Sequence, residues 1–199
     1  MGISERRLKE KEKLRDTILK TAWEMVKEEG WQSLSIRKIA DAIDFSVPVI
    51  YDYFESKEAI LEEFAREGAF LLTKSIKQAK EKHGDPVEQL KAMALAYWDF
   101  ALRNKEYYRL MFGVGMACCE NCQCFEGAER FDSYIIESIS TLLKKNRKTK
   151  VEVCLKYHTY TSILHGLVSI KLTGSTPAPD ELNKLVLEDA VDGFIKNLT

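Results

Sequence analysis

Apolar residues recur along most of this chain at intervals of three and four, the spacing of a helix with one buried face. Leu14, Ile18, Ala22, Met25 and Val26 set the first stripe, and Gly30 follows it. Glycine suits that place because a helix C-terminus often closes on a residue with positive φ. Ser35 then stands as an N-cap before IRKIADAI, which puts Ile36, Ile39, Ala40 and Ile43 on one side of two turns. Asp44-Phe45 interrupts the pattern, and aspartate accepts turn geometry more readily than most residues. Ser46 can cap a third helix that runs to about Tyr53, with Val47 and Pro48 in its first turn. Ser56 opens a fourth helix, with Glu58 where the helix dipole favours an acid. Ile60, Leu61, Phe64, Phe70, Leu71 and Ile76 carry that helix towards His83-Gly84.

The second half repeats the pattern in longer pieces. Asp85-Pro86-Val87-Glu88 is a helix start, with a capping acid, proline at the first position and an acid at the third. Leu90, Met93, Ala94, Tyr97, Trp98 and Ala101 follow, then an aromatic-rich segment from Tyr107 to Phe112. After the cysteine-rich stretch CCENCQC at 118–124, a helix is expected over about 131–145. Two more are expected over about 151–173 and 180–198, divided by the Gly-Ser-Thr-Pro-Ala-Pro loop at 174–179. No strand alternation and no repeat interrupts this, so the fold class is all-α.

Composition narrows the setting. With 45% hydrophobic and 31% charged residues in 199, the chain can bury a core and is not disordered. A net charge of −1 excludes a bulk polyanion binder, yet up to Lys38 ten basic residues oppose seven acids. No stretch reaches the roughly 18 apolar residues of a membrane span; the nearly chargeless run from Tyr157 to Ile170 is too short. The charged N-terminus does not read as a secretory signal. A cytoplasmic location with reduced thiols is therefore expected.

Two short helices joined by a tight turn, with a supporting helix before them, have the geometry of a helix-turn-helix. Residues 34–61, LSIRKIADAIDFSVPVIYDYFESKEAIL, carry more than geometry. Ile39-Ala40, Ser46, Tyr51-Asp52-Tyr53-Phe54 and Ser56-Lys57-Glu58 resemble the signature of the TetR family in order and spacing. The resemblance covers roughly residues 14–64, and it departs from the family at Asp44, where glycine is usual.

The resemblance implies a DNA-binding domain over 1–60 and a larger helical domain for effector binding and dimerisation over 61–199. It makes the Ser46–Tyr53 helix the recognition helix in the major groove, with Ser46, Val47, Pro48 and Val49 nearest the base edges. That set is apolar: valine and proline can touch thymine methyls but cannot make bidentate hydrogen bonds to purines. Arg37 is then the best candidate for a polar base or phosphate contact. Tyr51 and Lys57 match phosphate-holding positions, and Ser35 is a further phosphate candidate. Tyr53 and Phe54 read as core. The arm from Arg6 to Lys13 either reaches the DNA backbone or minor groove or is an inert tail.

Further on, SILHGLVSIKLTG at 162–174 resembles a C-terminal domain type of the same family. It implies a homodimer paired through the last two helices and a small-molecule effector, with no required cofactor and no membrane partner. Leu182, Leu185, Val186, Ala190, Val191, Phe194 and Leu198 spread over too wide an arc for cover on one side only. Candidate pocket residues are Tyr97, Trp98, Phe112, Met116, Tyr134, His158 and His165, with core packing as the competing role for each. Cys118, Cys119, Cys122 and Cys124 offer an alternative, a metal- or thiol-responsive regulator, against incidental cysteines in a loop. Cys154 reads as a small buried hydrophobe. No base is placed beside a thiol, and no phosphate loop or catalytic acid pair occurs, so an enzyme is not expected. A helical adaptor that binds no DNA is the remaining rival.

Overall fold

A computed structural model describes residues 3–113, 130–145, 150–174 and 179–198. Every regular element among them is helical: α1 (Ile3–Glu29), α2 (Ile36–Ala42), α3 (Val47–Tyr51), α4 (Lys57–Glu81), α5 (Pro86–Arg103), α6 (Lys105–Phe112), α7 (Phe131–Lys145), α8 (Lys150–Thr173) and α9 (Asp180–Lys196), plus a 3-10 turn at Trp31–Ser33. Contacts divide the chain into two units, one of residues 1–66 and 109–124, the other of 67–108 and 125–199.

In the first unit α1 packs on α2 and α2 on α3. Ile18, Ala22 and Val26 of α1 are buried with Ile36, Ile39 and Ala40 of α2 and Ile50 of α3, the stripes that the spacing predicts. Trp23, Trp31 and Phe64 close this core, with ring centroids 5.4–5.8 Å apart. Gly30, at φ 81°, turns the chain out of α1 into the 3-10 turn. The α1 helix begins well before the first apolar stripe, and its turn from Glu5 to Lys13 is solvent-exposed. The sequence pattern gives no sign of that extension, because nothing buries one of its faces.

The second unit is organised on α5, which packs against α7, α8 and α9. Leu90, Met93, Ala94, Tyr97, Trp98 and Ala101 all point into its core, opposite Ile135, Ile139, Leu164, Val168, Leu187, Val191 and Phe194. Tyr160 is wholly buried and donates its hydroxyl to the Leu90 carbonyl at 2.5 Å, which satisfies the one polar atom that this ring brings inside. Burial pushes that phenol far above its ordinary pKa. Cys154, expected to be buried, is exposed on α8. Its neighbour Leu155 is 60% exposed as well, so this stretch of α8 has no cover among the described residues. The final helix stops at Lys196 rather than Leu198, although Leu198 is itself buried.

Candidate nucleic-acid interface

The helix-turn-helix depends on one unusual backbone. Asp44 takes φ 57°, the left-handed region where the family's glycine is expected. The Phe45 amide then donates back to the Ala40 carbonyl at 3.0 Å, the long bond of a Schellman closure, and α2 ends sharply. Ser35 caps the other end of α2 by accepting the Lys38 amide at 3.1 Å. Ser56 does the same for α4 through the Ala59 amide at 3.2 Å. Ser46 sits at the N-cap of α3, but its hydroxyl makes no capping bond.

Ile50 is fully buried and fixes the orientation of α3, which leaves Ser46, Pro48 and Tyr51 exposed and Val47 and Val49 half-buried. The helix itself is shorter than the expected span to Tyr53. Tyr53 is half-buried with the Lys11 ammonium 5.8 Å from its ring centre. Phe54 is buried, with the Arg15 guanidinium 5.1 Å from its ring.

Part of the positive charge in this unit is committed to acids of the same chain. Arg15 pairs with Glu63 at 2.9 Å, Lys38 with Glu29 at 2.7 Å, Arg6 with Glu10 at 3.0 Å and Lys27 with Glu24 at 2.6 Å. The Lys38 ammonium bonds the Glu29 carboxylate and holds its pKa below the usual value. Arg37 is exposed and makes no ion pair among the described residues, and Lys57 stands half-buried at the first position of α4. The two cations named from the sequence are thus not spent on internal acids, whereas four of the basic residues counted up to Lys38 are.

A polar chain crosses the core of the second unit. The Tyr97 and Tyr108 hydroxyls lie 3.2 Å apart, the Tyr108 hydroxyl is 2.6 Å from His165 Nδ1, and His165 Nε2 is 3.3 Å from the Ser169 hydroxyl. Tyr97 and Tyr108 are 2% and 3% exposed. Burial drives the Tyr97 phenol well above its ordinary pKa, pushes Tyr108 up to about 12 and lowers His165. The chain is therefore neutral near pH 7, a set of donors and acceptors rather than charges.

Of the pocket candidates, Tyr97 and His165 are joined through Tyr108, with Trp98 buried one residue along α5. Tyr134 lies elsewhere, with the Lys77 and Lys80 ammoniums 5.9 and 5.5 Å from its ring centre. His158 is exposed, edge-on to Tyr157. Phe112 falls in the first unit, while Met116, Cys118, Cys119, Cys122 and Cys124 lie outside the described residues. Tyr108 was not singled out by spacing, because the break at Asn104 separates it from the α5 stripe. A cavity of about 360 Å³ opens away from this polar chain, between α5 and α9, with Leu95, Leu187 and Val191 among its walls and a Lys91–Asp192 ion pair of 2.9 Å at its edge.

Residues 18–64 match the family model for bacterial regulatory proteins of the tetR family. Residues 90–194, more than half the chain, match the tetracyclin repressor-like C-terminal domain. The chain belongs to the TetR family. It is similar to the HTH-type transcriptional activator FasR of Mycolicibacterium smegmatis, 29% identical over 98 residues, which are 49% of this chain and 45% of FasR. It is also similar to the uncharacterized HTH-type transcriptional regulator YuxN of Bacillus subtilis, 24% identical over 96% of this chain and 65% of YuxN. The matched regions span less than two thirds of either relative. Among solved structures, a protein of unknown function from Rhodococcus sp. RHA1 shares the fold with a TM-score of 0.76 and 22% identity, covering 92% of this chain and 94% of that one. TetR-family proteins are transcriptional regulators that bind operator DNA, dimerise and bind small molecules, and none of those roles is enzymatic. No described helix of this TetR-family chain is long and apolar enough to cross a membrane.

Proposed function

We propose that this TetR-family chain is a ligand-responsive repressor that binds operator DNA as a homodimer and leaves it when a small molecule enters the core of residues 61–199. The observation that carries the DNA-binding half is the exposed face of α3, with Ser46, Pro48 and Tyr51 outward around the buried Ile50 and with Arg37 unpaired by any described acid. Residues 1–60 are assigned to DNA, and a DNA partner implies the cytoplasm. Base contacts fall to Ser46, Val47, Pro48, Val49 and Arg37, and phosphate contacts to Ser35, Tyr51 and Lys57.

The effector half rests on the Tyr97–Tyr108–His165–Ser169 chain. An apolar core with a few neutral hydrogen-bonding groups suits a ligand that is mostly apolar and carries one polar group. Because Tyr97 and Tyr108 are closed to solvent, such a ligand enters only if side chains rearrange, so it binds a minor conformation and shifts the population towards it. Release follows if that conformation spaces the two recognition helices out of register with successive major grooves.

Dimerisation is assigned to α8 and α9. Among the described residues nine large hydrophobics are exposed, and five of them lie on these helices, Leu155, Ile170, Leu182, Leu185 and Val186. A second copy covers such a surface at the lowest cost in new design, and two-fold dimers are the commonest assembly.

The test is fluorescence anisotropy of the chain with duplexes tiled across its own upstream region, at moderate salt and against random competitor. Specific binding is the expected result, and binding no tighter than to random DNA sinks the reading. FasR is named an activator, so the sign is tested separately: run-off transcription from the bound promoter should fall as the protein is added, and a rise would make this chain an activator.

A further inference from the structure

The groove-facing end of α3 is short of hydrogen-bonding groups. Phe45 is 46% exposed, Pro48 is exposed and Val47 is half-buried, and none of the three side chains carries a donor or an acceptor. Between Asp44 and Asp52 the only other exposed polar side chains are Ser46 and Tyr51. The two flanking aspartates are themselves exposed and anionic, which suits neither phosphate nor the acceptor edge of guanine. Phe45 is also held in place: Asp44 at φ 57° precedes it, and its amide is bonded to Ala40. The exposed apolar atoms are therefore presented on a fixed backbone rather than on a loose loop.

In the major groove the one apolar feature of the base edges is the 5-methyl group of thymine. We propose that this chain reads its operator chiefly through thymine methyl groups, contacted by Phe45, Val47 and Pro48, with hydrogen-bonded base readout confined to Ser46 and Arg37. The inference rests on the operator-binding reading given above and specifies the sequence class of that operator: half-sites with thymines beneath the start of α3.

The test leaves the protein unaltered. Duplexes selected by the wild-type chain from a random pool are resynthesised with single thymine-to-deoxyuridine replacements, which remove only the methyl group. A parallel series carries 7-deazaguanine, which removes the N7 acceptor. Two or more uracil positions in each half-site should weaken binding about 4-fold apiece, the worth of one buried methylene-sized group. The 7-deazaguanine series should stay within about 2-fold at all but one position of each half-site, the one that Arg37 reaches, because α3 itself makes no bidentate guanine contact. Losses of about 10-fold at several positions beneath α3 overturn the inference. Pro48→Ala, tested for retained helicity, should shrink the uracil penalty at one position and leave the others. Uracil substitutions that are silent throughout overturn the inference, whether 7-deazaguanine costs 10-fold (hydrogen-bonded readout) or nothing (shape readout). A pool that never outbinds random duplex overturns the operator-binding reading itself, and this inference falls with it.

Discussion

Asp44 is the residue at which local strain and fold requirement conflict. Its φ of 57° suits glycine, and an L-residue there costs about 1–2 kcal/mol, less for aspartate because its short side chain can bond locally. Glycine in turn loses more entropy on folding. Asp44→Gly should therefore raise stability by a net of about 0.5–1 kcal/mol in urea unfolding, and Asp44→Val should lower it by more than that. A loss in Asp44→Gly would show that the aspartate side chain supplies an interaction stronger than the strain. Tyr108 sets a different balance, because its hydroxyl meets both Tyr97 and His165. Tyr108→Phe removes it from a buried site and should cost about 1–3 kcal/mol. His165 adds a pH dependence whose sign follows from burial. Burial holds its folded pKa below the ordinary imidazole value of about 6.5, so the unfolded chain takes up the proton first as pH falls. Stability contributed above pH 6.5 is then lost progressively on acidification. The urea midpoint should drop between pH 7.5 and 5.5, and His165→Gln should reduce that drop; an equal drop in both proteins would place the proton elsewhere.

Among the elements, α9 shows how a pattern can be read correctly yet mean two things. Leu187, Val191 and Phe194 are buried in the chain, while Leu182, Leu185 and Val186 stay 48%, 60% and 42% exposed on the remaining arc. If that arc pairs with a second copy, Leu185→Glu buries an unpartnered carboxylate, a loss of several kcal/mol. Self-association should weaken about 100-fold or more by sedimentation equilibrium, with helicity by circular dichroism unchanged. An unaltered dimer would move the interface off α9. The same contrast explains what was legible beforehand. Ile36, Ile39 and Ala40 are packed on one side only, so spacing alone located α2 and its turn. Cys154 misled because a small apolar residue in an apolar run looks buried, whereas the start of α8 has no cover there among the described residues. The helical extension at Glu5–Lys13 left no stripe to read, since every residue of it is exposed and none is buried. Tyr108 became recognisable as Tyr97's partner only once α5 and α6 were folded past Asn104, because contact across a helix break has no fixed period in sequence.

For the whole molecule, the net charge of −1 hides which cations remain to meet DNA: among the described residues up to Lys57, Arg7, Lys9, Lys11, Lys13, Lys20, Arg37 and Lys57 make no ion pair. Arg6, Arg15, Lys27 and Lys38 are each paired with an acid of the same unit. Exposed pairs of this kind contribute little to stability, but breaking one to reach a phosphate forfeits part of the gain. The electrostatic share of affinity should then come from the cations free of such pairs, Lys57 among them. On duplex DNA the logarithm of affinity falls against the logarithm of salt with a slope of about −0.9 per phosphate neutralised. Lys57→Ala in a homodimer removes two such contacts, so the slope should become shallower by about 2 and binding should weaken on every duplex alike. Tyr51→Phe removes a neutral hydroxyl: affinity should fall across all sequences, with a smaller change in slope. If Lys57→Ala leaves the slope unchanged but alters which bases are preferred, the lysine faces the groove rather than the backbone. The paired cations give the control. Lys38→Ala should leave the slope nearly as steep as in the wild type, because its ammonium is held by Glu29 at 2.7 Å and not by phosphate.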